Sequence, residues 1–225
     1  MDYLKEIIIG LSVMAIGTTL AILRKKIAKW LNNMVLKPLN SFSDWNAVEA
    51  DVIKNMEKSS FLYIMTGRGN FLLGGDRGSG KNPYFEYFSD KNKKVIILLP
   101  NIYDECKWII QRVEEMKKIE NSMITGVPAF KAQIHAVIMG IEEAVLCVDK
   151  KRFIALFDSF HIGKIILLDK VAYFQPYLSD TDGKDGRVYK YKKNSDMYKW
   201  LERLVLQTQE FATLISNYSP EKRKF

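Results

Sequence analysis

Cysteine and histidine are scarce in this chain, and neither is arranged for metal or redox chemistry. Cys106 and Cys147 lack the short spacing of a zinc or dithiol site and read as buried thiols in a reducing compartment. No metal and no cofactor are expected on that basis. The two histidines, His135 and His161, stand far apart. No basic stretch precedes the first apolar run and no small-residue cleavage site follows it, which argues against a signal peptide. Internal repeats are absent as well, so a repeat array is excluded. Acidic residues are the minority charge, leaving a formal net charge of +8.

The location of that charge is informative. Residues 1–40 hold six Lys/Arg against two Asp/Glu, so half of the excess sits at one end. There, Ile7 to Leu23 form an uncharged run of 17 residues, IIIGLSVMAIGTTLAIL, followed by Arg24, Lys25, Lys26 and Lys29. At ~1.5 Å per residue the run spans about 26 Å, enough for a thin bilayer core. The positive-inside bias places the N-terminus outside and the rest of the chain in the cytoplasm. Gly10, Gly17 and Ala21 lie on one stripe of this helix, where small residues permit close packing in lipid. Self-association is one reading of the stripe and a lone anchor is the other. An amphipathic stretch, Leu23 to Leu36, continues at headgroup level or as a stalk.

The remaining residues, roughly 180, have room for one domain. A hydrophobic content of 48% and 12% aromatics are those of a globular protein, not a disordered one. After a short connector at Pro38 and SFS (41–43), Ser43 is expected to cap a helix over 44–58. FLYIMTG (61–67) predicts a buried strand, Pro83 to Phe88 a short helix, and VIILL (95–99) a strand covered on both faces. Helices are expected at 104–120 and 128–144. Strands follow at 144–148, 152–158, 164–169, 171–177 and 187–193, then a helix over 196–216. This order predicts an α/β sandwich around a mixed sheet. The expected organisation is a membrane segment (1–37), a connector helix (38–58), a cytoplasmic domain (59–218) and a basic tail (219–225).

Three motifs bear on chemistry. Gly75-x-x-x-x-Gly80-Lys81 has P-loop spacing, but Asn82 replaces the magnesium-binding hydroxyl, and the strand VIILL ends in Pro100-Asn101 without an acidic residue for the metal. A loop that binds an anion through Arg68, Arg77 and Lys81 without hydrolysis is one reading; a plain glycine loop is the other. RVYKYKK (187–193) alternates Arg187, Tyr189 and Tyr191 with Lys190 and Lys192. Such interleaving suits phosphates and stacked bases, or equally an edge strand guarded by lysines.

The third motif is HIGKIILLDKVAYFQPYL (161–178). With its surroundings it resembles the phospholipase D superfamily, in which a histidine, a lysine two residues on and an aspartate form the signature. Lys164 and Asp169 have the required separation, whereas Ile162 stands at the histidine position and His161 is displaced by one. The resemblance implies a phospholipase D-like fold with a phosphate-binding face made by Lys164. If the site were active, His161, Lys164 and Asp169 would act together in a homodimer. On a strand, residues three apart lie on opposite faces, so only a bulge at Gly163 brings His161 round.

The architecture also resembles transmembrane effectors of bacterial antiphage nucleotide signalling. It implies a catalytically inactive domain, a homo-oligomer (dimer or tetramer) in the lipid bilayer, and a nucleotide or short oligonucleotide ligand from a separate nucleotidyltransferase. Ligand binding would then control a pore or leak. The alternatives are a membrane-anchored phosphodiesterase of the phospholipase D type, and a scaffold gripping anionic lipid.

Overall fold

A computed structural model of the chain describes residues 37–74, 82–119, 125–145, 152–159, 161–177, 185–219 and 221–223. The expected membrane segment with Gly10, Gly17 and Ala21 lies outside these residues. So do Arg77, Lys81 and positions 146–148 of an expected strand. Among the described residues, no helix is long and apolar enough to cross a membrane.

The frame is a mixed sheet with strand order β1-β7-β6-β5-β2-β3-β4-β8. Its centre is parallel: β2 (Phe61–Met65), β3 (Lys94–Pro100) and β4 (Arg152–Phe157) run together. On the other side of β2, strands β5 (Gly163–Leu168), β6 (Val171–Pro176) and β7 (Val188–Lys192) continue antiparallel. β3 shows why an unbroken apolar run belongs here. Val95, Ile97 and Leu99 enter one core cluster, while Ile96 and Leu98 enter another on the opposite face.

The first face is covered by α1 (Trp45–Glu57), α2 (Pro83–Ser89), α3 (Lys107–Met116) and α4 (Val127–Val145). The second is covered by α5 (Asp196–Phe211), through Tyr198, Leu201 and Val205. The α1 helix, expected as a connector, buries Trp45, Val48, Val52 and Met56 in the larger core. The tail also folds back. Lys222 Nζ meets Asp104 Oδ1 at 2.6 Å, and the Arg223 guanidinium pairs with Glu142.

Several boundaries differ from expectation, each for a local reason. Asp44, not Ser43, caps α1: its carboxylate accepts from the Ala47 amide at 3.0 Å, and the Ser43 hydroxyl donates to it at 2.7 Å. α3 starts at Lys107 because Asn101 first holds a turn, accepting from the Tyr103 and Asp104 amides at 3.0 and 3.3 Å. Ala144 and Val145, expected to open a strand, remain in α4. The last helix stops at Phe211, and Thr213–Leu214 instead form β8 beside β4. In the connector, Asn40–Phe42 form β1 and pair with β7, so β7 is not an edge.

Candidate functional site

The carboxyl ends of β2, β3 and β4 all open toward one rim of the sheet, where crevices form in α/β folds. Just ahead of antiparallel β5, His161 reaches the same rim. Its ring is walled by Trp108, Phe157 and Tyr177, with centroids at 5.3, 5.2 and 5.2 Å in edge-to-face geometry. The residue is 1% exposed, and among the described residues neither ring nitrogen has a hydrogen-bond partner. Burial, reinforced by the nearby Arg112 charge, lowers its pKa to about 3. His161 is therefore neutral at physiological pH.

Each wall is fixed by its own bond. The Trp108 indole N–H donates to the His161 carbonyl at 2.8 Å. The Tyr177 hydroxyl accepts from the Gly67 amide at 2.8 Å, and burial pushes this phenol's pKa up. Gly67 lets the indole close in, since a side-chain carbon there would lie 2.7 Å from Trp108 Cη2. Arg112, 4% exposed, stacks over Tyr177 at 5.2 Å and donates to Glu115 Oε2 at 3.0 Å. Trp108, Gln111, Arg112, Glu115, His161 and Tyr177, with Ile162, line a cavity of about 140 Å³.

Gly163, the first residue of β5, lies tight against β6. A Cβ there would overlap the Gln175 carbonyl oxygen and lie 2.7 Å from Phe174 Cε2. Ile162 packs on the second core cluster, while the His161 ring meets Trp108 and Tyr177, which belong with the first. Along β5, Ile166 and Leu168 face the first cluster and Ile165 and Leu167 the second, so alternation would send Ile162 to the first; its packing on the second breaks the alternation ahead of β5.

The other residues of the motif go elsewhere. Lys164 is 8% exposed, with its ammonium 3.6 Å from the Trp45 ring centroid and 4.7 Å from that of Phe71. Asp169 follows the far end of β5, roughly 16 Å along the strand from Lys164. There its carboxylate accepts from the Ser60 amide and hydroxyl at 2.8 and 3.0 Å. His135, on α4, meets the Arg223 carbonyl at 3.1 Å through Nε2.

The expected ligand residues are similarly dispersed. Arg68, after β2, donates to Gln133 at 3.3 Å. Lys190 is paired with Asp51 at 2.7 Å and lies 5.5 Å from the Tyr173 ring centroid. Tyr191 is buried in the second cluster and Tyr189 packs against it, so the tyrosine faces turn inward. Arg187 and Lys192 remain exposed. Among the described residues, no group of three or more His, Cys, Asp or Glu could hold a metal ion.

Sequence reasoning missed Trp108, Gln111, Arg112, Glu115 and Tyr177. The available signal was the spacing of 108, 111/112 and 115, one face of a helix that carries an indole, an amide and both charge signs.

No protein-family model and no curated protein matches the chain. Among solved structures, it is similar to TrmBL2, an archaeal chromatin protein whose structure shows a novel mode of DNA binding. That likeness has a TM-score of 0.44 and 12% identity, covering 90% of this chain and 66% of that one, just under two thirds. It is also similar to Nuc from Salmonella typhimurium, a phospholipase D family member, with TM-score 0.42 and 8% identity over 75% of this chain and 90% of that one. At these values neither likeness carries an argument, and function is read from the chain's own residues.

Proposed function

We propose that the protein is a membrane-anchored receptor that binds a nucleotide or short oligonucleotide without hydrolysing it. The observation that carries the non-catalytic part is the placement of Lys164. A lysine that grips a phosphate beside a nucleophilic histidine must share that histidine's cavity. Lys164 instead lies against Trp45 and Phe71, outside the walls around His161. The Ile7–Leu23 run and the lysines after it support the anchor. A tethered receptor of this kind suits an effector of antiviral defence, in which a separately made nucleotide signal sets how the anchors associate and whether the membrane leaks.

Native mass spectrometry of the full chain taken from cells in detergent, followed by incubation with phosphodiester substrates, tests the proposal. A copurified nucleotide that stays intact is expected. Phosphodiester cleavage by the wild type that disappears in Lys164→Ala would establish the phosphodiesterase instead. Absence of binding to any nucleotide at low salt would leave the lipid-gripping scaffold.

A further inference from the structure

The cavity at the rim draws its walls from α3; the outer surface of α5, on the opposite face of the sheet, carries a separate pattern. Tyr198, Leu201, Val205 and Thr208 form the row of this helix that is buried on the sheet. Trp200, Leu204, Gln207 and Phe211 form another, since positions i, i+4, i+7 and i+11 share one face. Trp200 is 39% exposed and Phe211 86%. Leu204 is half-buried and Gln207 exposed. Single apolar residues are ordinary on a surface, but a helix with one buried stripe is expected to be polar on its outer side. Two aromatic rings on one outer row mark a contact surface instead. Trp200 is also held in place, because Phe174 of β6 meets its ring edge-on at 6.5 Å.

Charge lies alongside. Lys199, Arg203 and Glu210 are exposed and occupy the neighbouring row. Asp196 completes it, 3.9 Å from Lys199 in an exposed pair that holds neither side chain tightly. Two cations and two carboxylates leave this row without net formal charge, so an anionic bilayer or a phosphate chain gains nothing net from it. A second copy of the same helix does gain. Laid antiparallel about a two-fold axis, with Trp200 against the partner's Phe211, the pair has its centre midway between residues 205 and 206. At ~1.5 Å per residue, the partner's Glu210 then falls between Lys199 and Arg203, about 3 Å in level from each. The two-fold axis repeats this contact, while Leu204 and Gln207 meet their counterparts at the centre. We infer that the outer face of α5 is a self-association surface, on which a second copy of this chain seats its own α5 antiparallel. The charges set register and orientation, and the aromatic ends contribute most of the affinity. The surface lies outside the membrane segment and needs no nucleotide.

Crosslinking of the full chain in detergent, with no nucleotide added, tests it. The two copies of position 207 would stand about 4.5 Å apart in level on helices ~8–10 Å apart. Gln207→Cys should therefore be joined to its copy by a short bismaleimide, well above the background set by the wild-type thiols. Adding Phe211→Ser removes two rings per dimer and should raise the dissociation constant at least about tenfold, read as crosslinking lost on dilution. Glu210→Lys, which leaves the core untouched, should also weaken the link. Combining it with Lys199→Glu and Arg203→Glu reverses both partners and should restore the link. An association carried by the membrane segment alone would show no such rescue. Crosslinking of Gln207→Cys no higher than wild type, or unaffected by both Phe211→Ser and Glu210→Lys, overturns the surface. Reaction of Gln207→Cys with a lipid-borne maleimide in proteoliposomes, without any link between copies, also overturns it and makes the face a membrane contact. Failure to bind nucleotide would remove the receptor reading and leave this surface standing.

Discussion

Replacing Lys190 by Met separates a structural role from a ligand-binding one at a residue for which the sequence left ligand contact and edge-strand protection as equal readings. Lys190 Nζ lies 2.7 Å from Asp51 Oδ2, with the two side chains 13% and 30% exposed. The Tyr173 hydroxyl donates to the same oxygen at 2.8 Å, so the pair fastens α1 to β6 and β7. Burial alone raises the Asp51 pKa. Hydrogen bonds from Lys190, Tyr173 and Asn55, together with the Lys190 charge, outweigh it and hold the carboxyl below its usual value.

A hydrogen bond between charged groups contributes about 1.5–3 kcal/mol when buried, and partial exposure puts this one near the lower end, about 1.5–2 kcal/mol. For a chain of this size that corresponds to a fall of roughly 3–8 °C in Tm. Lys190→Met should show the fall by thermal melting of the full chain in detergent at neutral pH, with nucleotide affinity kept. Because the Asp51 pKa is depressed, the contribution is present above its ordinary value of about 4 and is lost as pH falls below it. A double-mutant cycle with Asp51→Asn should return most of the loss as coupling. Wild-type melting combined with lost nucleotide affinity would refute the reasoning and return Lys190 to the ligand.

Three further outcomes are expected. Gly163→Ala should destabilise by about 2–4 kcal/mol, because its methyl overlaps the Gln175 carbonyl and strains the β5–β6 ladder; a wild-type urea midpoint would contradict the geometry. His161 is neutral when folded, with a pKa of about 3 against the usual 6.5, so the unfolded chain binds the extra proton between those values. Its contribution is complete above about pH 6.5 and is lost as pH falls toward 3, at up to about 1.4 kcal/mol per unit. Urea midpoints across that range should show His161→Phe lacking this component of the slope. In the membrane segment, Gly17→Leu with Ala21→Leu should preserve insertion but weaken helix association, since packing in lipid depends on close approach. Unchanged crosslinking and unchanged membrane leakage in cells would identify a passive anchor.

Much of the fold was legible along the chain. The apolar runs at 95–99 and 165–168 mark strands, and Pro83 marks a helix start, because each signal is written in adjacent residues. β1 and β8 were not legible. Three residues, Asn40–Phe42, and two, Thr213–Leu214, carry no period of their own and become strands only because β7 and β4 present open ladders to them. Tyr191 illustrates a second limit: alternation placed it on a face with Tyr189, but only packing under α5 turns that face into core.

The candidate site divides the same way. The sequence by itself determined that His161 is out of step with Lys164, and that Gly163 is where the chain could correct it. It could not determine that Lys164 would settle against Trp45, some 120 positions away. Nor could it bring Trp108 and Arg112 from α3 against Tyr177 after β6. Periodicity reports that an element has a buried side; which buried sides meet, and what space remains between them, is decided by how the layers close over the sheet.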